Sequence, residues 1–335
     1  MGWLIRGFSV LSLSLSAILI ASRVTLAAGG VGEAPGGGVS AVADPAKAPV
    51  AAKGRRGWAV RDYADGRRFM GTMTGLVRHG HGVQIWPSGT RYQGQFTSDR
   101  LEGFGSYVWK NGDVFSGRVK DGQFEGEGEY RWASGSRYVG NYVAGKKSGR
   151  GMTIFNNGAR HIGLYADGKS NGQGVYTWAG NGQYVGGFKD GRFFGHGIRS
   201  FKNGAFYSGE FRDDKYNGTG TFTWPSGGTY KGSFVDGQFQ GHGVRKMANG
   251  GRYEGDFVAG KFEGDGTYNW PDGSTYVGRF KGGLLDGRGT RTRANGTSYS
   301  GPFVRGRAHG TGQCRAVDGK TGPCEYRDGR FIGWL

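Results

Sequence analysis

Six histidines and 26 acidic residues are the groups in this 335-residue sequence with types suited to acid–base or metal chemistry. The histidines are His79, His81, His161, His196, His242 and His309, and three of them, His81, His196 and His242, each stand between two glycines of a Gly-x-Gly. His196 and His242 are separated by two copies of the repeat described below, roughly 20 Å at about 4.8 Å per strand. Metal ligands must all approach one ion to about 2 Å, so these histidines cannot share a metal. The same slot elsewhere holds Phe104, Glu127, Arg150, Thr219 and Asp265, which reads as a solvated position. Among the acids, Asp265 with Asp286, or Glu125, Glu127 and Glu129, can be imagined at the roughly 5–9.5 Å that glycoside hydrolysis uses. A regular lattice of acids always yields such pairs, so a hydrolase of envelope glycans is the weakest of the alternatives. Ser148 and Ser170 have no nucleophile-elbow context, and no Gly-x-Gly is followed by the Lys-Ser/Thr of a phosphate-binding loop. The expectation is a protein with no catalytic set, no metal and no cofactor.

What must position these residues is a repeat. Tyr92, Tyr138, Tyr184, Tyr207, Tyr230, Tyr253, Tyr276 and Tyr299 lie on one grid with a spacing of 23 residues, and Phe69, Phe115 and His161 fill its other places. Two residues on is a Gly (Gly94, Gly232, Gly255), and two further on is usually an aromatic (Phe96, Phe234, Phe257). A Gly-x-Gly follows, as at Gly103 and Gly105, and four residues beyond it a large residue such as Trp109. Residues at i, i+2 and i+4 share one face of a strand. Turn-formers precede each such strand, as in WPSGTRY and WPDGSTY, so each repeat is expected to be one β-hairpin. Centring a hairpin on Gly89 would set Trp86 opposite Tyr92 and Gly82 opposite Phe96, with the ring covering the glycine. Stretches such as FTSDRLEG then connect one hairpin to the next. Hairpins of this kind bury their faces by stacking, so the fold class is all-β: an elongated single-sheet solenoid of tandem 23-residue hairpins, about 100 Å long at the usual strand spacing.

The pattern resembles the MORN (membrane occupation and recognition nexus) repeat family. The matching text is YQGQF…LEGFGSYVWKNG from Tyr92, YKGSF…FQGHGVRKMANG from Tyr230 and YEGDF…FEGDGTYNWPDG from Tyr253. The likeness spans about residues 57–326. It implies a scaffold or targeting module; some members resemble lipid binders, some dimerise and some carry an added enzyme domain, for which no stretch here is long enough. The ends degrade as solenoid caps: Ala59 replaces a repeat glycine, and Arg293 and Ala316 stand in Trp slots. Cys314 and Cys324 are symmetric about Gly319, one on each strand of the last expected hairpin, which reads as a cross-strand disulfide. A redox dithiol, an intermolecular pair and free thiols are the alternatives, although the spacing is not CxxC.

Composition agrees with a repeat and narrows the partners. Glycine numbers 72 and aromatic residues make up 14%, which excludes both an ordinary mixed core and a disordered linker. Residues 1–28 have the basic start, apolar run and small-residue close of a signal peptide, with an uncleaved membrane anchor as the alternative. Residues 29–56 read as a flexible Ala/Gly/Pro tether, and residues 57–335 as the solenoid. The protein is therefore expected to be exported, to the periplasm or outside the cell. The formal charge of +18 favours anionic partners, with two groups of bases standing out: Arg131, Arg137, Lys146, Lys147, Arg150 and Arg160, and then Lys281, Arg288, Arg291, Arg293, Arg305 and Arg307. These are candidates for an anionic phospholipid surface or an acidic envelope polymer; nucleic acid is not expected of an exported chain. The leading expectation is a non-catalytic scaffold that binds a protein partner or a second copy of itself, and the runner-up is a peripheral binder of anionic phospholipid.

Overall fold

A computed structural model describes residues 55–335 of the chain. The expected signal segment lies outside the described residues, as does the tether except for Arg55 and Arg56. Among the described residues there are 26 strands and no helix. They form two compact units, residues 55–111 with 119–122, and residues 112–118 with 123–335. The first unit holds Arg56–Asp62, Arg68–Thr74, Val77–Ile85, Arg91–Thr97 and Arg100–Val108, each antiparallel to the next. In the second unit, strands of nine and seven residues alternate from Gln123–Arg131 to Ser298–Val304. Arg307–Ala308, Gly310–Arg315, Thr321–Arg327 and Arg330–Trp334 close it.

The turns explain the register, and they correct the expected one. At WPSGT, the Trp86 N–H donates to the Thr90 carbonyl and the Gly89 N–H to the Trp86 carbonyl, both at 2.9 Å. The loop is therefore Pro87-Ser88-Gly89, with Gly89 at φ +85°, the three-residue hairpin in which glycine takes the last, left-handed place. Its centre is Ser88 rather than Gly89. Gly82 consequently faces Gly94, not Phe96, and Tyr92 faces Gln84, not Trp86. The FTSDRLEG-type connectors are hairpins too. Ser98 and Asp99 have φ of 48° and 65°, and Asp236 and Gly237 of 49° and 86°, so each pair forms a two-residue type I′ turn. Strands in the middle of either unit thus pair tightly on both sides. The nine-residue strands are longer because they carry a bulge: Gly94 faces Gly105 while Phe96 faces Leu101. Gly103 makes the bulge at φ +91°, and the Phe104 N–H donates to Gln95 Oε1 at 3.0 Å.

With that register the second glycine of each Gly-x-Gly joins the glycine of each Tyr-x-Gly in a row across the strands. In the first unit the row runs Ala59, Gly71, Gly82, Gly94, Gly105. In the second it includes Gly232, Gly243, Gly255 and Gly266. The rings that lie on it come from the first aromatic of each Tyr-x-Gly-x-Phe place, not the last: Phe69 covers Gly71 and Gly82, Tyr92 covers Gly94 and Gly105, and Tyr230 covers Gly232 and Gly243. Each tyrosine hydroxyl then donates to the carbonyl three residues on, as Tyr230 to Ser233 at 2.9 Å and Tyr207 to Glu210 at 2.9 Å. The buried hydroxyls ionise reluctantly, and desolvation pushes Tyr92, Tyr230 and Tyr253 up to about 12.

Phenylalanines wedge between successive tyrosines. Phe257 stands edge-on to Tyr253 at 5.2 Å and to Tyr230 at 5.0 Å, and Phe234 does the same between Tyr230 and Tyr207. Phe96 likewise meets Tyr92 and Phe69 edge-on. A third layer comes from the residue two before each Gly-x-Gly, which stacks flat on the tyrosine: Phe239 on Tyr230 and Phe262 on Tyr253, both at 3.8 Å. Trp109 extends this layer from Tyr107 in the first unit, stacked at 5.4 Å. Offset-stacked and edge-on contacts are the favoured geometries for aromatic pairs.

At the C-terminus Cys314 and Cys324 form a disulfide with Cα atoms 5.9 Å apart. The two are not directly opposed as their symmetry about Gly319 implied. Cys314 faces Gly322 and Cys324 faces Gly312, because this loop too is centred one residue earlier, on Asp318. A further strand, Arg330–Trp334, follows and pairs with the second cysteine's strand.

Candidate functional site

The rings occupy one face of the strands, so the alternate residues face outward. In most of the second unit the central outward row is polar or mixed, with Ser208, Thr221, Lys231, Val244, Glu254 and Thr267 in cross-strand succession. Between Gln123–Arg131 and Phe206–Arg212 it is not. Val139 faces Met152, Met152 faces Ile162, Ile162 faces Val175, Val175 faces Val185 and Val185 faces Ile198. Glu129 bounds this aliphatic run on one side and Ser208 on the other. Six side chains in direct register at about 4.8 Å per strand make a stripe about 24 Å long. Every one of them is partly exposed.

The register also sorts the basic residues. Arg131, Arg137, Ile154 and Arg160 succeed one another in the outward row beside the stripe. Arg150, opposite Leu164, lies on its other flank. Glu129 holds Arg131 at 2.9 Å and Arg137 at 3.5 Å, whereas Arg150 and Arg160 are paired with no acid among the described residues. Two members of the group stand apart from this row. Lys146 sits beside a turn, 3.0 Å from Asp167. Lys147 lies on the ring face, its ammonium 4.6 Å from the Trp132 ring and 4.7 Å from the Tyr138 ring, and burial lowers its pKa.

The second basic group is not brought together. Arg288 is outward, opposite Pro302, while Arg291 lies on the ring face 4.8 Å over Trp270. Arg293 closes a three-residue turn with Thr297, Arg305 is the first residue of a type I′ turn at φ 47°, and Lys281 and Arg307 flank such turns. Several of the acids considered for hydrolysis are engaged in structure. Glu125 accepts the Ala144 N–H at 3.0 Å and Asp286 the Arg305 N–H at 3.2 Å, and Asp265 faces Arg279. His81, His196 and His242 are exposed on the bulges. Among the described residues no group of three His, Cys, Asp or Glu gathers as metal ligands would.

On the ring face the lattice is interrupted over the same repeats that carry the aliphatic stripe. Lys147 takes the third-layer place over Tyr138 where Phe124 covers Phe115 and Phe193 covers Tyr184. One repeat later His161 occupies the tyrosine position and Ser170 the place above it. His161 is 2% exposed; its Nδ1 lies 2.7 Å from the Tyr165 hydroxyl and 3.3 Å from Ser170 Oγ. Thr153 Oγ1 is 2.7 Å from the same hydroxyl, and His161 Nε2 is buried without a hydrogen-bond partner. Desolvation, with Lys147 adding a smaller repulsion, depresses His161 to about 4. The missing ring leaves no opening over His161, which stays buried beneath its neighbours; a partly open recess nearby is lined by Phe155, Tyr176, Trp178, Phe188 and Phe193, together with Arg199 and Asp214.

Neither feature was found from the sequence. The stripe residues lie alternately 10 and 13 residues apart, a spacing that means nothing until the turns set the register. The signal for the interrupted ring lattice was nonetheless present, since Ser170 interrupts a column that reads Phe124, Lys147, Phe193, Tyr216, Phe239, Phe262 on the grid.

Comparison with known proteins agrees with the repeat geometry. The profile of the MORN repeat matches residues 77–91, 92–114, 115–137, 138–160, 161–183, 184–206, 207–229, 230–252, 253–275, 276–298 and 299–321. No curated protein matches the sequence. Similar solved structures include the TCP domain of Drosophila melanogaster SAS-4 in complex with a proline-rich motif of Ana2, at 12% identity and TM-score 0.26, covering 46% of this chain and 90% of that one. A mutant TCP10 domain of Danio rerio CPAP shows 13% identity and TM-score 0.22, covering 73% and 98%. Virginiamycin B lyase from Staphylococcus aureus shows 9% identity and TM-score 0.14, covering 73% and 93%. Likenesses this slight carry no argument for the present chain.

Proposed function

The chain belongs to the MORN repeat family, and we propose that it is a non-catalytic scaffold that docks another polypeptide, a partner protein or a second copy of itself, on its outward face between Val139 and Ile198. The observation that carries this reading is the aliphatic stripe. Six apolar side chains in register on a face that is elsewhere polar or mixed form a contiguous patch of the kind that marks an interaction surface. Arg150 and Arg160, without acidic partners, supply a basic rim for carboxylates of the docked chain. Export is part of the proposal: the Cys314–Cys324 disulfide suits an oxidising compartment, as does the signal-like start of the sequence.

A photo-crosslinking residue at Val175, compared with one at Thr267 in the same outward row, tests the docking. An adduct at Val175 and none at Thr267 is expected, and its mass distinguishes a second copy from another protein; equal labelling at both sites, or none, overturns the reading. The row of Arg131, Arg137 and Arg160 also favours a second reading, an anionic phospholipid surface. Flotation with anionic but not neutral vesicles, lost between 50 and 500 mM salt, would support that one instead, since surface-charge attraction is screened by salt.

A further inference from the structure

We infer that the ring face carries a row of three arginines, Arg199, Arg245 and Arg291, that binds a linear acidic polysaccharide. The three stand in one continuous cross-strand succession, with three aromatic residues between each arginine and the next. Each arginine is thus four strands from its neighbour, about 19 Å at the usual strand spacing. Each guanidinium lies over a tryptophan: Arg199 over Trp178 at 4.0 Å, Arg245 over Trp224 at 5.1 Å and Arg291 over Trp270 at 4.8 Å. These arginine–tryptophan pairs recur at twice the repeat length, a longer period that packing of the 23-residue unit does not require.

None of the three arginines makes an ion pair or a side-chain hydrogen bond among the described residues, and the Nε atoms of Arg199 and Arg291 are buried without an acceptor. All three are partly exposed, as are their tryptophans. Asp214 and Asp272 adjoin the ends of the row, but each carboxylate accepts a backbone N–H, from Phe193 and from Ser274, both at 2.8 Å. An arginine stacked on an indole keeps its charge and its orientation and presents a fork suited to a carboxylate. Beside it the indole offers an apolar surface to the C–H face of a sugar ring. Equal sites at equal spacing select a ligand with equal groups at equal spacing, which a uronate polymer has and a folded protein surface does not. The row lies on the face opposite the aliphatic stripe, so this binding is independent of the docking proposed above.

Calorimetric titration of the full-length protein with dodecagalacturonate, with tetragalacturonate and with the fully methyl-esterified dodecamer tests the assignment. Saturable binding of the dodecamer is expected, at least tenfold tighter than the tetramer, because a chain that reaches two arginines gains by avidity. The ester, which has the same rings without the charges, is expected not to bind. Arg245→Gln should weaken the dodecamer at least tenfold, and Arg291→Gln should do the same, so that misfolding of one variant does not decide the test. Arg288→Gln removes the same charge from the outward face, where Arg288 stands opposite Pro302, and should leave binding unchanged. No saturable dodecamer binding, or equal losses in Arg245→Gln and Arg288→Gln, overturns the proposal. Polyglutamate of equal length binding as tightly as the dodecamer also overturns it, by assigning the row to an acidic polypeptide.

Discussion

Phe239 lies flat on Tyr230, ring centroids 3.8 Å apart and planes 13° from parallel, and Tyr230 in turn lies on Gly243 of the strand that carries Phe239. The glycine, the tyrosine and the second ring form one column, so the sheet buries a core within a single layer of strands. Tyr230 reaches 0% exposure between this column and the edge-on rings of Phe234 and Phe257.

A β-carbon at Gly243 would come within 2.9 Å of the Tyr230 ring. Gly243→Ala is therefore expected to destabilise the protein by about 1–3 kcal/mol, the usual cost of overpacking. Gly237 has open space where its β-carbon would be but a φ of +86°, so Gly237→Ala should cost about 1 kcal/mol from backbone strain alone. Urea unfolding of the two variants beside the wild type measures the difference.

Lys147 holds a third-layer place without a ring. Lys147→Phe is expected to raise the melting temperature, because a stacked aromatic pair contributes about 0.5–1.5 kcal/mol beyond area and a half-buried charge is removed. It should leave docking at the outward stripe unchanged. A fall in melting temperature would show that the cation over Tyr138 is worth more than the ring.

His161 gives the fold an acid-sensitive joint. Its pKa is about 4 in the folded protein against about 6.5 in the unfolded chain, so the unfolded state binds more protons between these values. The stabilisation is complete above about pH 6.5, is lost progressively as the pH falls towards 4, and amounts to at most about 3 kcal/mol. Proton-linked unfolding from pH 7.5 to 4, compared with His161→Tyr, should show that component vanish in the variant. The same slope in both proteins would assign the acid sensitivity elsewhere.

The disulfide closes a sequence separation of 10 residues. Its loss in Cys314→Ser with Cys324→Ser is expected to cost about 2–3 kcal/mol, concentrated in the last strands. Hydrogen exchange should show faster exchange from Gly310 to Trp334 and no change around Tyr230.

On the outward face, Val175→Asp is expected to change the thermal stability by about 1 kcal/mol or less, within the span of strand propensities. It should abolish salt-resistant association with another polypeptide. Sedimentation velocity at 500 mM salt, with the identified partner or over a range of protein concentrations, provides the check.

The repeat unit, its period and the inventory of the core are legible in the residues alone. Tyr-x-Gly-x-Phe at 23-residue spacing can place its aromatic residues on one side of a strand in only one way, since side-chain direction alternates at every residue. Glycine beside aromatic is likewise legible as ring over backbone. Which ring covers which glycine was decided only in the tertiary structure. A three-residue turn takes its glycine at the last position rather than the centre, and that shift of one residue gave the glycines to the tyrosines and opposed Cys324 to Gly312. The same register assembled Val139, Met152, Ile162, Val175, Val185 and Ile198 into one stripe and scattered Arg288, Arg291 and Arg305 among different surfaces. Periodicity is a property of the chain, whereas adjacency across strands is set by turn geometry, and function on a repeat sheet depends on adjacency.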